Sequence, residues 1–245
     1  MSIISNFFNY CFYQPLFNFL ILIYKLIPGG DFGISIIILT ILIKLLMLPF
    51  NNKAIKSQKI IADLQPKIKE IQEKYKNDKE KQAKEMMEIY KKEKISPFAG
   101  IIPALIQLPI LIALYQLFLR GFNTEQMSLL YNFNHFSGEI NPYFLGIINL
   151  SKPNYILAII VGVLQFFQLK TSTPKKSKNN KPLKKSDRPD ISYIIQKETL
   201  FIVPLFTVFI LLTIPSAVGI YLLTTTLFTI IQQYSILKNR KNINQ

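Results

Sequence analysis

Long apolar blocks separated by lysine-rich segments leave this chain few ways to fold. The blocks at 34–50, 98–119, 155–169, 199–214 and 217–237 approach or reach the length of a bilayer crossing, where a soluble core would show short periodic runs. They predict an all-α integral membrane protein built as a bundle of five transmembrane helices. Half of the 245 residues are hydrophobic and the mean hydropathy is positive, in line with that prediction.

Charge then orients the blocks. The 29 basic residues outnumber the 14 acidic ones, for a net charge of +15, and 25 of the 29 lie in three segments. Residues 51–96 hold 13 lysines against 8 acids, 170–197 hold 9 basic residues, and the tail at 238–245 carries Lys238, Arg240 and Lys241. With five crossings these segments share one side, which the positive-inside rule makes the cytoplasm. The N-terminus and the 120–153 loop fall outside.

Within 51–96 the apolar residues recur at helical spacing. Ile60, Ile61, Leu64, Ile68, Ile71 and Tyr75 share one face, and Ala83, Met86, Met87 and Tyr90 form a second stripe after a turn at Asn77-Asp78. This predicts a cytoplasmic helical hairpin whose first arm is kinked at Pro66. The 170–197 segment, rich in Lys, Ser, Asn and Pro, reads as a disordered basic loop. Residues 1–30 mix aromatic and aliphatic residues with Asn and Gln and end on Pro28-Gly29-Gly30. They read as an interfacial amphipathic helix, since Pro15 and Asn18 interrupt any first span. Neither a cleaved signal peptide nor an organelle transit peptide is evident there, which favours a bacterial plasma membrane.

Several chemistries are disfavoured. Cys11 is the sole cysteine, and its context is not that of a lipoprotein; His135 is the sole histidine and sits in a polar stretch. No GxSxG, HExxH, Walker A or CxxC pattern occurs. The expectation is a protein that is not an enzyme and takes no metal or small-molecule cofactor.

Lys44 is the one charged residue inside a block. A cation at the centre of a span costs at least about 2.5–3.5 kcal/mol. It therefore either snorkels past Phe50 to the headgroups or faces a polar cavity. Thr40, one turn earlier on the same face, favours the cavity, as do Gln107 between Pro103 and Pro109, Gln165 and Gln168 in the third block, and Thr224, Thr225, Thr226, Gln232 and Gln233 in the fifth. Each alone is explained by an interhelical hydrogen bond; together they suggest a hydrated groove, deepest toward the cytoplasm. No block contains a carboxylate, and Glu198, at the edge of the fourth, is the candidate partner of Lys44. An unpaired cation in low dielectric predicts a receptor for an acidic, transiently bound segment.

These residues carry a resemblance. From about Tyr13 to Ile236 the chain resembles the YidC/Oxa/Alb membrane protein insertases, of the bacterial YidC type. The motifs are Pro15-Leu16-Phe17-Asn18, Gly30-Asp31-Phe32-Gly33, Ser35-Ile36-Ile37-Ile38-Leu39-Thr40, Leu64-Gln65-Pro66-Lys67-Ile68, Glu85-Met86-Met87 and Ser96-Pro97-Phe98. They continue with Leu105-Ile106-Gln107-Leu108-Pro109-Ile110, then Pro215-Ser216, Tyr221 and Ile230-Ile231-Gln232-Gln233. The resemblance implies five core helices around a positively charged groove open to cytoplasm and lipid, which inserts nascent membrane proteins alone or with the Sec translocon, in places beside the ribosome. It also implies the cytoplasmic hairpin at 53–95 and adds Tyr221 to the groove. Lys44 stands where the family usually has arginine, which keeps the charge but loses the bidentate fork. Leu222 stands where a second aromatic is common. The large extracytoplasmic domain of some Gram-negative members and the long tail of mitochondrial ones have no counterpart in these residues.

Two other classes account for less. A channel or small-solute transporter using Lys44 as an anion site needs a continuous polar path, but the outer halves of the blocks are apolar. An intramembrane protease needs His or paired Asp, and no block contains either.

Overall fold

The computed structural model describes residues 2–96, 102–120, 124–136, 138, 140–172 and 191–243. Helix α1 (Ser2–Phe8) passes through a π-helical turn at Asn9–Tyr13 into α2 (Gln14–Leu26). There follow α3 (Phe32–Leu46), α4 (Leu48–Asp63), α5 (Gln65–Lys74), α6 (Lys79–Lys92), α7 (Ile102–Arg120) and the short α8 (Thr124–Met127). A minimal antiparallel hairpin, β1 (Tyr143–Phe144) and β2 (Ile148–Asn149), precedes α9 (Tyr155–Ser172), α10 (Ile191–Leu211) and α11 (Ser216–Ile243). Among the described residues the regular structure is thus helical apart from two strands of two residues each.

The core forms where α2, α3, α7, α9 and α11 meet. Phe17, Leu20 and Ile21 of α2, Phe32 and Ile36 of α3, Leu117 of α7, Val161 of α9 and Ile220 of α11 are all fully buried within it. The N-terminal helix, expected to be amphipathic, does have a buried face, and protein covers it: Phe17 stacks near Tyr13, and α2 packs along α3. Helix α10 packs mainly on α9, and Phe201, Ile202, Leu205, Phe206 and Phe209 are left exposed along it.

Asn18 adds a polar fastening to the apolar docking of this N-terminal segment. Read in the sequence as an interruption, it is 2 % exposed and satisfied on every side. Its amide donates to the carbonyls of Gln14 (2.9 Å) and Leu129 (3.1 Å). Its Oδ1 accepts from the Tyr131 backbone N–H at 2.7 Å, and its own carbonyl accepts from the buried Asn134 amide at 2.8 Å. Lys25 adds a bond from Nζ to the carbonyl of His135 at 2.9 Å. The 124–136 segment, part of the 120–153 loop, is thereby fastened over one end of the bundle.

At the same end, one carboxylate does two tasks. Asp31 Oδ1 caps α3 by accepting from the Ile34 N–H (2.9 Å), while Oδ2 accepts from the Leu145 N–H (2.6 Å) at the tip of the β hairpin. A Cβ on Gly33 would lie 2.3 Å from Phe144 Cδ2, so the hairpin ring rests directly on the α3 backbone. Backbone N–H groups of Ser216 and Ala217 donate to the carbonyls of Lys152 and Leu150, which satisfies orphan donors in the first turn of α11.

Three sequence expectations need correction. The apolar block at 34–50 is not one straight helix: α3 ends at Leu46, and Phe50 belongs to α4, which leaves at 68°. Pro49 lies in the first turn of α4, where it cannot continue the ladder of α3. Pro66 kinks no continuous helix. The chain breaks at Leu64, and Pro66 sits in the first turn of α5, where its missing N–H has no intrahelical partner to lose. The second stripe of the hairpin is uneven: Met86 is half-buried, but Ala83 and Met87 are exposed. Boundaries shift elsewhere. Helix α10 begins at Ile191 rather than 199, and α11 runs on from 237 to Ile243. Residues 97–101 and 173–190, which include Pro97-Phe98 and most of the basic loop, lie outside the described residues.

No single helix among the described residues is long and apolar enough to cross a membrane, although the bent pair α3 and α4 together has the length and composition. Leu105–Arg120, Tyr155–Thr171 and Glu198–Leu211 are shorter apolar helices.

Replacing Asn18 with Leu should leave the Tyr131 N–H and the Leu129 carbonyl without their side-chain partner. The thermal midpoint in detergent, followed by circular dichroism, should fall by at least about 2 °C.

Candidate functional site

Lys44 lies in the last turn of α3, just before the bend. The bend swings the first turn of α4 beneath it, and α7 closes the other side. The result is a small, partly open recess, lined by Ile43, Lys44, Met47, Asn51, Ile106, Gln107 and Ile110. Apart from Lys44, Gln107 and Asn51 the lining is apolar, so a charge in the recess has few competitors for a ligand.

Lys44 Nζ lies 3.5 Å from Gln107 Oε1, and the Gln107 amide nitrogen donates to the Tyr221 hydroxyl. One polar chain therefore links α3, α7 and α11. Helical geometry sets it up: Lys44 faces α7 at the end of α3, and Gln107 sits two residues before Pro109 on the inner side of α7. Among the described residues no carboxylate lies within salt-bridge distance of Lys44. Glu198, a possible partner from the sequence, is exposed and makes no ion pair with it. The cation is left with a neutral amide as its partner.

The other expected residues divide. Thr40 is buried, but its hydroxyl is spent on the Ile36 carbonyl at 2.6 Å within its own helix. Thr225 lies one turn beyond Tyr221 on α11, and its hydroxyl is buried beside it. Gln165 on α9 has a buried Oε1 with no hydrogen bond among the described residues. Gln232 does not line the recess: its amide donates to Asn52 Oδ1 at 2.7 Å, which ties α11 to the base of α4. In the arm, Leu64 and Ile68 are buried, Gln65 and Pro66 half-buried, and Met87 is 45 % exposed. Asn51 and Asn52 were missed in the sequence because they follow the apolar block and look like the start of a solvated arm. The signal was Pro49, which breaks the helix and folds them back.

Among the described residues no group of three or more His, Cys, Asp or Glu side chains comes together. Cys11 is exposed in the π-helical turn, and His135 takes part through its backbone carbonyl.

Outside the recess, the bundle turns many large apolar side chains outward. Leu205 (72 % exposed) and Phe209 (66 %) on α10, Ile156 on α9 and Leu42 on α3 face outward, while Asn18, Thr226, Gln232 and Gln233 are buried. A helical bundle apolar on its outside and polar at a cationic recess within is the arrangement of a membrane protein. The chain belongs to the family described as 60Kd inner membrane protein, which matches residues 22–243. It is similar to proteins named membrane protein insertase YidC. It is 36 % identical to that of Wigglesworthia glossinidia brevipalpis over 94 % of this chain and 37 % of the relative. It is 35 % identical to that of Buchnera aphidicola subsp. Baizongia pistaciae over 92 % of this chain and 37 % of the relative. It is 34 % identical to that of Fusobacterium nucleatum over 85 % of this chain and 87 % of the relative. The chain thus spans little more than a third of the first two and most of the third.

If the Gln232–Asn52 bond holds the arm to the bundle, Gln232→Leu and Asn52→Leu should each speed amide exchange along α4. The double variant should add less than the sum of the two, by a coupling of about 0.6 kcal/mol, read by hydrogen–deuterium exchange mass spectrometry.

Proposed function

We propose that this chain is a membrane protein insertase, with Lys44 as the receptor for the polar, acidic flank of a nascent membrane protein. The observation that carries this is a cation in a recess with no carboxylate beside it among the described residues, in a chain whose relatives bear the name membrane protein insertase YidC. Lysine is costly in a bilayer and is retained where something pairs with it.

The proposed arrangement has five crossings: the α3 block, α7, α9, α10 and α11. The N-terminus and the 120–153 loop lie outside, α1 and α2 rest at the outer interface, and the α4–α6 arm lies in the cytoplasm of a bacterium. The charge asymmetry of the three basic segments supports this orientation. The substrate's polar flank docks at Lys44, and its apolar segment slides out along α9 and α11 into lipid, where burial supplies the driving force. The short apolar lengths of α9 and α10 favour local thinning of the bilayer. No nucleotide is consumed. The Sec translocon is a proposed partner, and the basic 170–197 and 238–245 segments are proposed to meet either ribosomal RNA or anionic lipid.

Liposomes holding only this chain should insert a small single-span protein with an acidic flank, scored by protease protection. Lys44→Arg should insert it as well as the parent and Lys44→Ala at least about tenfold less, the scale of one charge-assisted contact. Equal insertion by all three removes Lys44 from the mechanism. Deleting 238–245 and neutralising the basic residues of 170–197 should abolish co-sedimentation with ribosomes; persistence of binding rules out the RNA role.

A further inference from the structure

The resemblance counts Tyr221 as a groove residue, yet its side chain is 1 % exposed, packed into the core between helices. A residue so placed does not touch a ligand entering the Lys44 recess, and it is absent from the recess lining. Its hydroxyl instead accepts a hydrogen bond from Gln107. Gln107 is the residue that does line the recess, and its other end faces Lys44.

A side-chain amide has one accepting and one donating end, and the two are similar in shape. Turned one way, the Gln107 carbonyl faces the Lys44 ammonium. Turned the other way, its NH2 group would confront a cation that has no lone pair to offer. The favourable orientation leaves the NH2 pointing away from Lys44 into a buried region, where it needs an acceptor. Tyr221 provides that acceptor, on a helix that belongs to the core rather than to the recess. We infer that Tyr221 and Gln107 are positioning residues: the Tyr221 hydroxyl holds the Gln107 amide with its carbonyl toward Lys44, and so keeps the cation in the recess instead of letting it swing to the headgroups. This rests on the proposed receptor role of Lys44 and gives the recess a built-in, neutral and displaceable partner. An arriving carboxylate replaces the amide carbonyl at the cation, because a charged acceptor outcompetes a neutral one. A resident carboxylate at the same place would hold Lys44 too firmly.

The test uses the full chain in liposomes and two versions of one single-span substrate, with acidic and with neutral flanks. The readout is the ratio of their insertion, because a general packing defect lowers both and leaves the ratio in place. Tyr221→Phe keeps the ring and removes the hydroxyl; it should lower the ratio by about threefold, the weight of one hydrogen bond. Gln107→Leu, a second route to the same loss, should do likewise, and Gln107→Glu should bring the ratio to about that of Lys44→Ala by occupying the cation permanently. In a Lys44→Ala background, Tyr221→Phe and Gln107→Leu should change the ratio no further. Two results overturn the inference while leaving the receptor intact: Tyr221→Phe and Gln107→Leu depress both substrates equally, or they lower the ratio by the same factor with and without Lys44. A ratio unaffected by Lys44→Ala itself overturns the receptor role and the inference with it.

Discussion

At Met47 the helix carrying the first apolar block stops, because Pro49 offers no N–H to continue it and its ring obstructs the straight path. The chain turns by 68°, and most of what is distinctive about the molecule follows from that turn. Apolar residues before it join the bundle core; the lysine-rich residues after it are led away as a separate arm. Lys44 is left at the end of α3, under-packed on one side, and Asn51 is brought below it to complete a recess. Asn52 comes within reach of Gln232, so the arm is tied back to the last helix. A straight helix would have carried Asn51 and Asn52 away from the bundle and left Lys44 on an open surface.

The opposite end of the bundle is held by different physics. There the contacts are dense and fully satisfied: Asn18 and Asn134 bond one another and the neighbouring backbone, and the Asp31 carboxylate is shared by a helix cap and the β hairpin. At the Lys44 end the polar groups are fewer and less completely matched. Lys44 has a single amide opposite it, and Gln165 Oε1 has no hydrogen bond among the described residues. Buried groups that are fully paired rigidify a structure, and groups left short of a partner are where a ligand gains most. One closed end and one receptive end suit a proposed insertase that admits a substrate from a single side.

Much of this was legible in the residues. The helical class, the basic arm with its turn at Asn77-Asp78, and Lys44 as the charge inside an apolar block were all read from composition, periodicity and the cost of a charge in lipid. Less legible was what each polar residue does. Thr40 shares a helical face with Lys44, yet its hydroxyl is taken by its own backbone. Gln232 was grouped with the recess and belongs to the arm's tether. Asn18 looked like a flaw in an apolar run and proved to be the knot that fastens the N-terminal helix, because its partners lie more than a hundred residues away. Helical spacing says which residues share a face, but not which neighbour that face will meet.

By itself, then, the sequence determined quantities that depend on local order alone: where apolar runs begin and end, and which segments carry the positive charge. Those are one-dimensional properties, and lipid and water read them directly. Tertiary structure alone decided the pairing of polar groups. It put Gln107 between Lys44 and Tyr221, gave Asn52 to Gln232, and left Glu198, a possible partner of Lys44, exposed. A hydrogen bond requires two groups to arrive within about 3 Å at a favourable angle. Only the packed crossing of three helices supplies that condition.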